Sequence, residues 1–242
     1  MTKTTTIIAM IGALTLGTAL NARAQTPPNE PVMFVNVSVG GQFQSRDFSS
    51  FSTFELFNET GTVDANQTIG GGFVFDATAG HRFGRRFAGA IGVSTFNGSG
   101  EAASVAAIPS PLFVGKPTIK NFSPSDYGDL KQSNVAINFQ LVYIWPLTNR
   151  IDLQVFGGPS IVHVSQDIAT ATPVENSTAT IESQSATSGK SGSVGIDLAY
   201  NLNTRYGVGG FVRYLGGQVD LPSVENFTIG GTQAGAGIRI RF

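Results

Sequence analysis

The chain has 242 residues, a formal net charge of −1 and 13% charged residues, about half the charged share usual in a soluble domain. Without a Lys/Arg-rich run it offers no electrostatic footprint for nucleic acid. Zero cysteines exclude disulfides, thiolate metal sites and a lipid-modified N-terminal cysteine, and two histidines argue against an all-protein zinc site, so no metal or other cofactor is expected.

The first residues read as an export signal. Lys3 supplies the positive end, Ile7 to Leu20 is an apolar run, and Asn21-Ala22-Arg23-Ala24 puts alanine at both small-residue positions of a cleavage site. The run is too short for an ordinary membrane-spanning helix, so a signal peptide over 1–24 is predicted. The mature chain would then be one domain over 25–242, starting at Gln25. A retained helical anchor is the alternative. After residue 24 no apolar stretch reaches helical spanning length, and a chain so poor in charge must satisfy its backbone another way. A closed β-barrel does this, because every strand bonds to two neighbours and no edge remains.

Eight segments carry the period-two pattern such a barrel needs, apolar on one face and polar or small on the other. Val32 to Phe43 sets Val35, Val37 and Val39 against Asn36, Ser38 and Gln42. Gln67 to His81 sets Phe73, Phe75, Ala77 and Ala79 against Asp76 and Thr78, and Phe87 to Asn97 aligns Phe87, Ile91 and Val93. Lys131 to Trp145 gives the strongest signal. Val135, Ile137, Phe139, Leu141, Tyr143 and Trp145 share a face opposite Asn134, Asn138 and Gln140, and Tyr-x-Trp has the form of an interfacial girdle. Ile151 to Ser165 sets Ile151, Leu153, Val155 and Ile161 against Asp152 and Gln154. Ser193 to Asn201 sets Val194, Ile196, Leu198 and Tyr200 against Asp197, and Arg205 to Leu215 sets Tyr206, Val208, Val212 and Tyr214 against Arg213. The last strand, Thr228 to Phe242, sets Ala234, Ala236, Ile238 and Ile240 against Gln233, Arg239 and Arg241. The prediction is an all-β, eight-stranded, antiparallel up-and-down transmembrane barrel.

Connections alternate in length. Arg82 to Arg86, Pro146 to Arg150 and Leu202 to Thr204 read as tight periplasmic turns. Gln44 to Asn66, Gly98 to Leu130, Gln166 to Gly192 and Gly216 to Phe227 are rich in Ser, Thr, Asn, Gly and Pro, and read as long extracellular loops.

On the signal, the strand pattern and the C-terminal Ile238-Arg239-Ile240-Arg241-Phe242, the chain resembles the small bacterial outer-membrane barrels: the transmembrane domain of outer-membrane protein A and the opacity-type surface proteins. The resemblance covers residues 32 to 242. It implies residence in the outer membrane, contact with its lipids and lipopolysaccharide, a monomer, and recognition of the C-terminal strand by the barrel-assembly machinery. Peptidoglycan anchoring is not carried over, because no separate domain follows the last strand.

Three features bear on function. Asp76, Asp152, Asp197, Arg213, Arg239 and Arg241 fall on the inward face, where they either pair inside a plugged barrel or line a narrow ion path. Gly235 and Gly237 are expected to leave room for the long arginines. His163 and Ser165, with Glu175 beyond them, resemble the His-x-Ser pair and carboxylate of the lipid A deacylases, but Gln166 stands where that family has Asn. The other reading is an interfacial His and Ser at the headgroups. Phe48, Phe51, Phe54 and Phe57 recur every third residue and are expected to pack on the barrel rim, with a binding surface as the alternative. The reading is thus a non-enzymatic barrel with a structural, adhesive or surface-recognition role carried by its loops. No catalytic, cofactor or metal residue is assigned; a small-solute channel and a deacylase using His163 and Ser165 are the alternatives.

Overall fold

A computed structural model describes residues 32–113, 115–171, 178–222 and 224–242. The predicted signal peptide, residues 1–24, and Glu175 lie outside the described residues. The described strands are β1 (Met33–Gln42), β2 (Arg46–Leu56), β3 (Glu59–Arg82), β4 (Phe87–Ile108), β5 (Thr118–Phe122), β6 (Leu130–Pro146), β7 (Ile151–Ala171), β8 (Ala179–Asn201), β9 (Tyr206–Leu221) and β10 (Val224–Arg241). A short helix, α1 (Pro124–Tyr127), lies between β5 and β6.

Eight strands close a ring in the order β1-β10-β9-β8-β7-β6-β4-β3, with β3 returning to β1 and every pairing antiparallel. The predicted barrel and its three short turns are present. β2 and β5 lie outside the ring, paired to the far halves of β3 and β4.

The four predicted long loops are the point of correction. Most of their residues are strand. The 44–66 segment holds β2 and the start of β3, joined by a two-residue turn at Phe57 and Asn58, both with positive φ, as a tight hairpin requires. The 98–130 segment holds the end of β4, then β5 and α1; 166–192 holds the tip of the β7–β8 hairpin and 216–227 that of β9–β10. The alternation had not stopped at the predicted strand ends. Val63, Ala65, Ala102, Ala106 and Ile108 point inward and are buried, while Asp64, Asn66, Thr68 and Glu101 point out. Small apolar residues spaced among Ser and Thr look like loop by composition, yet they satisfy the strand period.

The barrel therefore continues well beyond the bilayer. The 24 residues of β3 span ~80 Å along the strand and ~60 Å along the axis at the usual tilt, whereas crossing takes about 9–11 residues. We call the projecting part the crown and the rest the stem.

The interior has three tiers. At the turn end, Phe34, Ala88, Ala90, Val142 and Ile144 cluster with Phe156 as an apolar floor. The middle of the stem is polar. Above it, the crown has an apolar core: Val162, Val164, Ile168, Leu215, Val219, Phe227 and Ile229 pack together, and a second cluster joins Val63, Ile108, Phe122, Tyr127 and Leu130. Of the phenylalanine series, Phe48 meets Phe227 edge-on at 5.0 Å and Phe54 packs on the second cluster. Phe51 is exposed because a spacing of three alternates faces on a strand, and Phe57 is exposed in the turn after β2.

Tyr127 ties the crown together. Its phenol lies 2.5 Å from Ser104 Oγ on β4 and donates to the Thr170 carbonyl on β7 at 3.1 Å, while its ring meets Phe122 edge-on. Burial pushes the phenol pKa up, with the Ser104 hydrogen bond partly opposing, so the phenol keeps its proton as a donor. Tyr127→Ala is expected to cost the crown about 3–5 kcal/mol. Protease cleavage within residues 101–129 should rise while the stem stays intact; an unchanged digestion pattern would contradict this role.

Candidate functional site

The inward charges of the stem pair one to one across the lumen. Arg213 Nη1 on β9 donates to Asp76 Oδ2 on β3 at 2.5 Å, and Arg241 Nη2 on β10 donates to Asp152 Oδ2 on β7 at 2.8 Å. Arg239 on β10 grips Asp197 on β8 with two donors, Nε at 3.2 Å and a shorter contact from Nη2. Arg239 also donates to Ser38 Oγ at 2.9 Å. Neutral groups extend the network: Arg213 donates to Gln233 and Gln233 to Gln42, while Ser160 donates to Asn138 and Asn138 to Ser94. A cavity of about 30 Å³ remains among Asn36, Asp76, Gln140, Gln154, Asp197, Arg213 and Arg239, room for only one or two waters.

Glycine assists differently from expectation. At Gly237 a Cβ would meet Val37 O at 1.9 Å, so Gly237 lets β10 and β1 approach rather than making space for arginine. At Gly209 a Cβ would lie 2.9 Å from Leu198 O and 3.1 Å from Arg239 Nε, so glycine there makes room for both the neighbouring strand and the guanidinium.

The outer face of the stem is the inverse of the lumen. Val37, Val39, Ile91, Ile137, Phe139, Val155, Ile196, Val208, Val212 and Ile238 all lie on it, and most are exposed. Phe87, Trp145, Tyr200, Tyr206 and Phe242 are exposed at the turn end, and Phe43, Phe73 and Tyr214 at the crown side. Tyr206 and Tyr214 are eight residues apart on β9, ~27 Å along the strand and ~20 Å along the axis. An apolar band of that height between aromatic girdles, around a polar interior, matches a bilayer core. The stem is a transmembrane β-barrel. This is the architecture of bacterial outer-membrane barrels, with short turns on the periplasmic side and long hairpins outside.

Comparison with solved structures returns proteins of that kind. Neisserial surface protein A is 12% identical, with 87% of this chain and 97% of that one covered at a TM-score of 0.43. The outer membrane protein OprG from Pseudomonas aeruginosa is 11% identical, with 88% and 97% covered at 0.46. Ail, the attachment invasion locus protein of Yersinia pestis, solved with the heparin analogue sucrose octasulfate, is 10% identical, with 86% and 99% covered at 0.39. No family model matches the chain, and no curated protein matches it.

His163 and Ser165 both lie on the outer face of β7, as their spacing predicts. His163 is 12 residues beyond the start of β7, ~30 Å along the axis, which puts it at the outer headgroup level. Its Nδ1 pairs with Thr187 Oγ1 on β8 at 2.9 Å. Outward placement is common to the interfacial and the deacylase readings, and Glu175 lies outside the described residues.

The alternation argument gives no weight to turns and so passes over another repeated feature. Each periplasmic turn ends in an arginine just before its strand: Arg86 before Phe87, Arg150 before Ile151 and Arg205 before Tyr206. In each case the arginine carbonyl accepts an N–H from the neighbouring strand: Ile144, Asn201 and Arg241 respectively. Arg86 and Arg150 also donate to the phenols of Tyr143 and Tyr200, at 3.1 and 3.5 Å. Lining up the three turns would have revealed them.

Proposed function

We propose that the chain is an outer-membrane anchor for an extracellular recognition surface, and that its lumen does not conduct. The observation that carries this is the division of the barrel. The stem interior is filled by paired charges, whereas the crown is built as folded sheet with its own apolar core. A rigid crown holds side chains in place for a partner at lower entropic cost than flexible loops would.

The crown's charge suggests the character of that partner. Asp47, Glu55, Glu59, Asp64, Glu101, Asp126, Asp129, Asp167, Glu182 and Asp220 stand against Arg46, Lys116, Lys120, Lys131 and Lys190 among the described residues. Arg46 is committed to the backbone carbonyls of Thr228 and Gly230. An acidic surface with exposed Phe51 and Phe57 suits a basic, partly apolar protein partner. In this reading the mature chain starts at Gln25, the C-terminal strand is read by the assembly machinery, the barrel is monomeric, and lipopolysaccharide surrounds the outer girdle.

Gly100 and Leu130 face each other in register on β4 and β6, so residues 101–129 can be replaced by a two-residue turn without cutting the ring. Cells displaying the shortened chain should retain it in the outer membrane and lose attachment to epithelial monolayers. Equal attachment by both chains, or none by the intact one, overturns the recognition role. Ser165→Ala is expected to leave folding, attachment and the acylation of lipid A unchanged. Loss of acyl-chain release in the mass spectrum of lipid A from such cells would instead establish the deacylase alternative.

A further inference from the structure

The near-zero net charge hides a strong polarity. The turn end carries Arg85, Arg86, Arg150 and Arg205 in its turns and Arg82 at the inward-facing end of β3, and among the described residues no carboxylate side chain points outward there. Asp152 faces inward and is held by Arg241. The Phe242 backbone oxygen accepts the Val32 and Met33 amides. Two of the arginines, Arg85 and Arg86, belong to one turn and are exposed.

Directly above that turn the lipid face is concave. Gly89 pairs with His81 on one side and with Leu141 on the other, and Leu141 pairs with Gly157. Ala79, Gly89 and Gly157 floor a groove between the side chains of Met33, Ile91 and Leu141. Gly89 follows Arg86 by three residues, and Arg86 donates to the phenol of Tyr143, two residues from Leu141, so the apolar groove lies beside two guanidinium groups and has the shape and charge of one lipid. Resting on the transmembrane reading, we propose that this site holds an anionic phospholipid of the inner leaflet. One acyl chain lies in the groove over Gly89, and the phosphate is held by Arg85 and Arg86. Guanidinium suits a phosphate better than ammonium does, because its planar fork donates in pairs.

The test is native mass spectrometry of the refolded barrel released from detergent with phosphatidylglycerol or phosphatidylcholine of matched chains. Folding is checked separately by the heat-sensitive shift in electrophoretic mobility. The protein should retain phosphatidylglycerol over phosphatidylcholine, and the R85Q/R86Q variant should lose that preference by about fivefold for each arginine removed. Gly89→Leu should reduce retention of both lipids while the barrel still folds, because a Cβ at Gly89 meets only Phe83, at 3.7 Å. Equal retention of the two lipids by a folded barrel, or an undiminished preference in R85Q/R86Q, overturns the site. Displacement of the lipid by inorganic phosphate alone would show a free-anion site and overturn it too. A chain that never gains the folded mobility overturns the barrel itself, and this site with it.

Discussion

Asp197→Leu should destabilise the folded barrel by about 3–5 kcal/mol, because it leaves the Arg239 guanidinium buried with no countercharge. Both partners are nearly inaccessible, with side-chain exposures of 2% for Arg239 and 6% for Asp197. The remaining acceptors of Arg239, Ser38 Oγ and the Ile238 carbonyl, carry no formal charge. The double variant Asp197→Leu/Arg239→Met should recover most of the loss, since an apolar pair of similar volume removes the desolvation cost of both ions. Urea unfolding in lipid vesicles measures the three proteins. A single variant as stable as the parent would mean that the lumen is wet enough to solvate Arg239, and the plug would not hold.

The second large effect belongs to the other face. Phe139 lies on the outer surface of β6, between Ile137 and Leu141, and is 41% exposed to what surrounds the stem. Phe139→Arg is expected to cost about 2–4 kcal/mol at mid-bilayer depth. Phe51→Arg supplies the control. It makes the same change at a residue that is more exposed still, 54%, but in the crown, where the surroundings are aqueous and the cost should stay within about 0.5 kcal/mol. Equal costs at the two positions, read from the same urea titration, would contradict the placement of the bilayer.

These two expectations rest on features that were legible in the sequence to different degrees. The stem was legible because the bilayer enforces one rule at every position: apolar out, polar or small in. Val135 to Trp145 and the Asp197, Arg213 and Arg239 positions follow from that rule alone, and the one-to-one pairing follows from a lumen too narrow for unpaired charge. The crown was not legible as strand. Its interior is apolar and its exterior polar, so the sign of the alternation reverses near Ile69 on β3, while the abundance of Ser, Thr and Gly imitates loop. Above that point Val63 and Ala65 face in; below it Phe73 and Phe75 face out. The change of hand occurs where β3 slips register between Ile69 and Gly72, across Gly70 and Gly71. Because the two reversals cancel, the odd positions other than Gln67 stay apolar or small along the sequence from Val63 to Ala79, and nothing in the period marks where the bilayer ends and the crown begins.

Candidate chemistry was legible only in part. His163 and Ser165 were correctly placed on one outward face, but pattern alone could not foresee that Thr187 would pair with the imidazole, because that contact depends on the β7–β8 register. The turn arginines carry no periodic signal at all. They stand out only once the three turns are seen at one end of the same ring.

The central claim is that the stem is a sealed anchor, and conductance of the refolded protein in planar bilayers tests it most directly. The account predicts silence from the intact chain at applied voltages that leave the bilayer stable. It also predicts silence from Asp197→Ala/Arg239→Ala, because two further ion pairs, the apolar floor and the crown core still close the lumen. Steady, ion-selective openings from the unmodified protein would contradict the sealed stem and make the paired charges the lining of a channel.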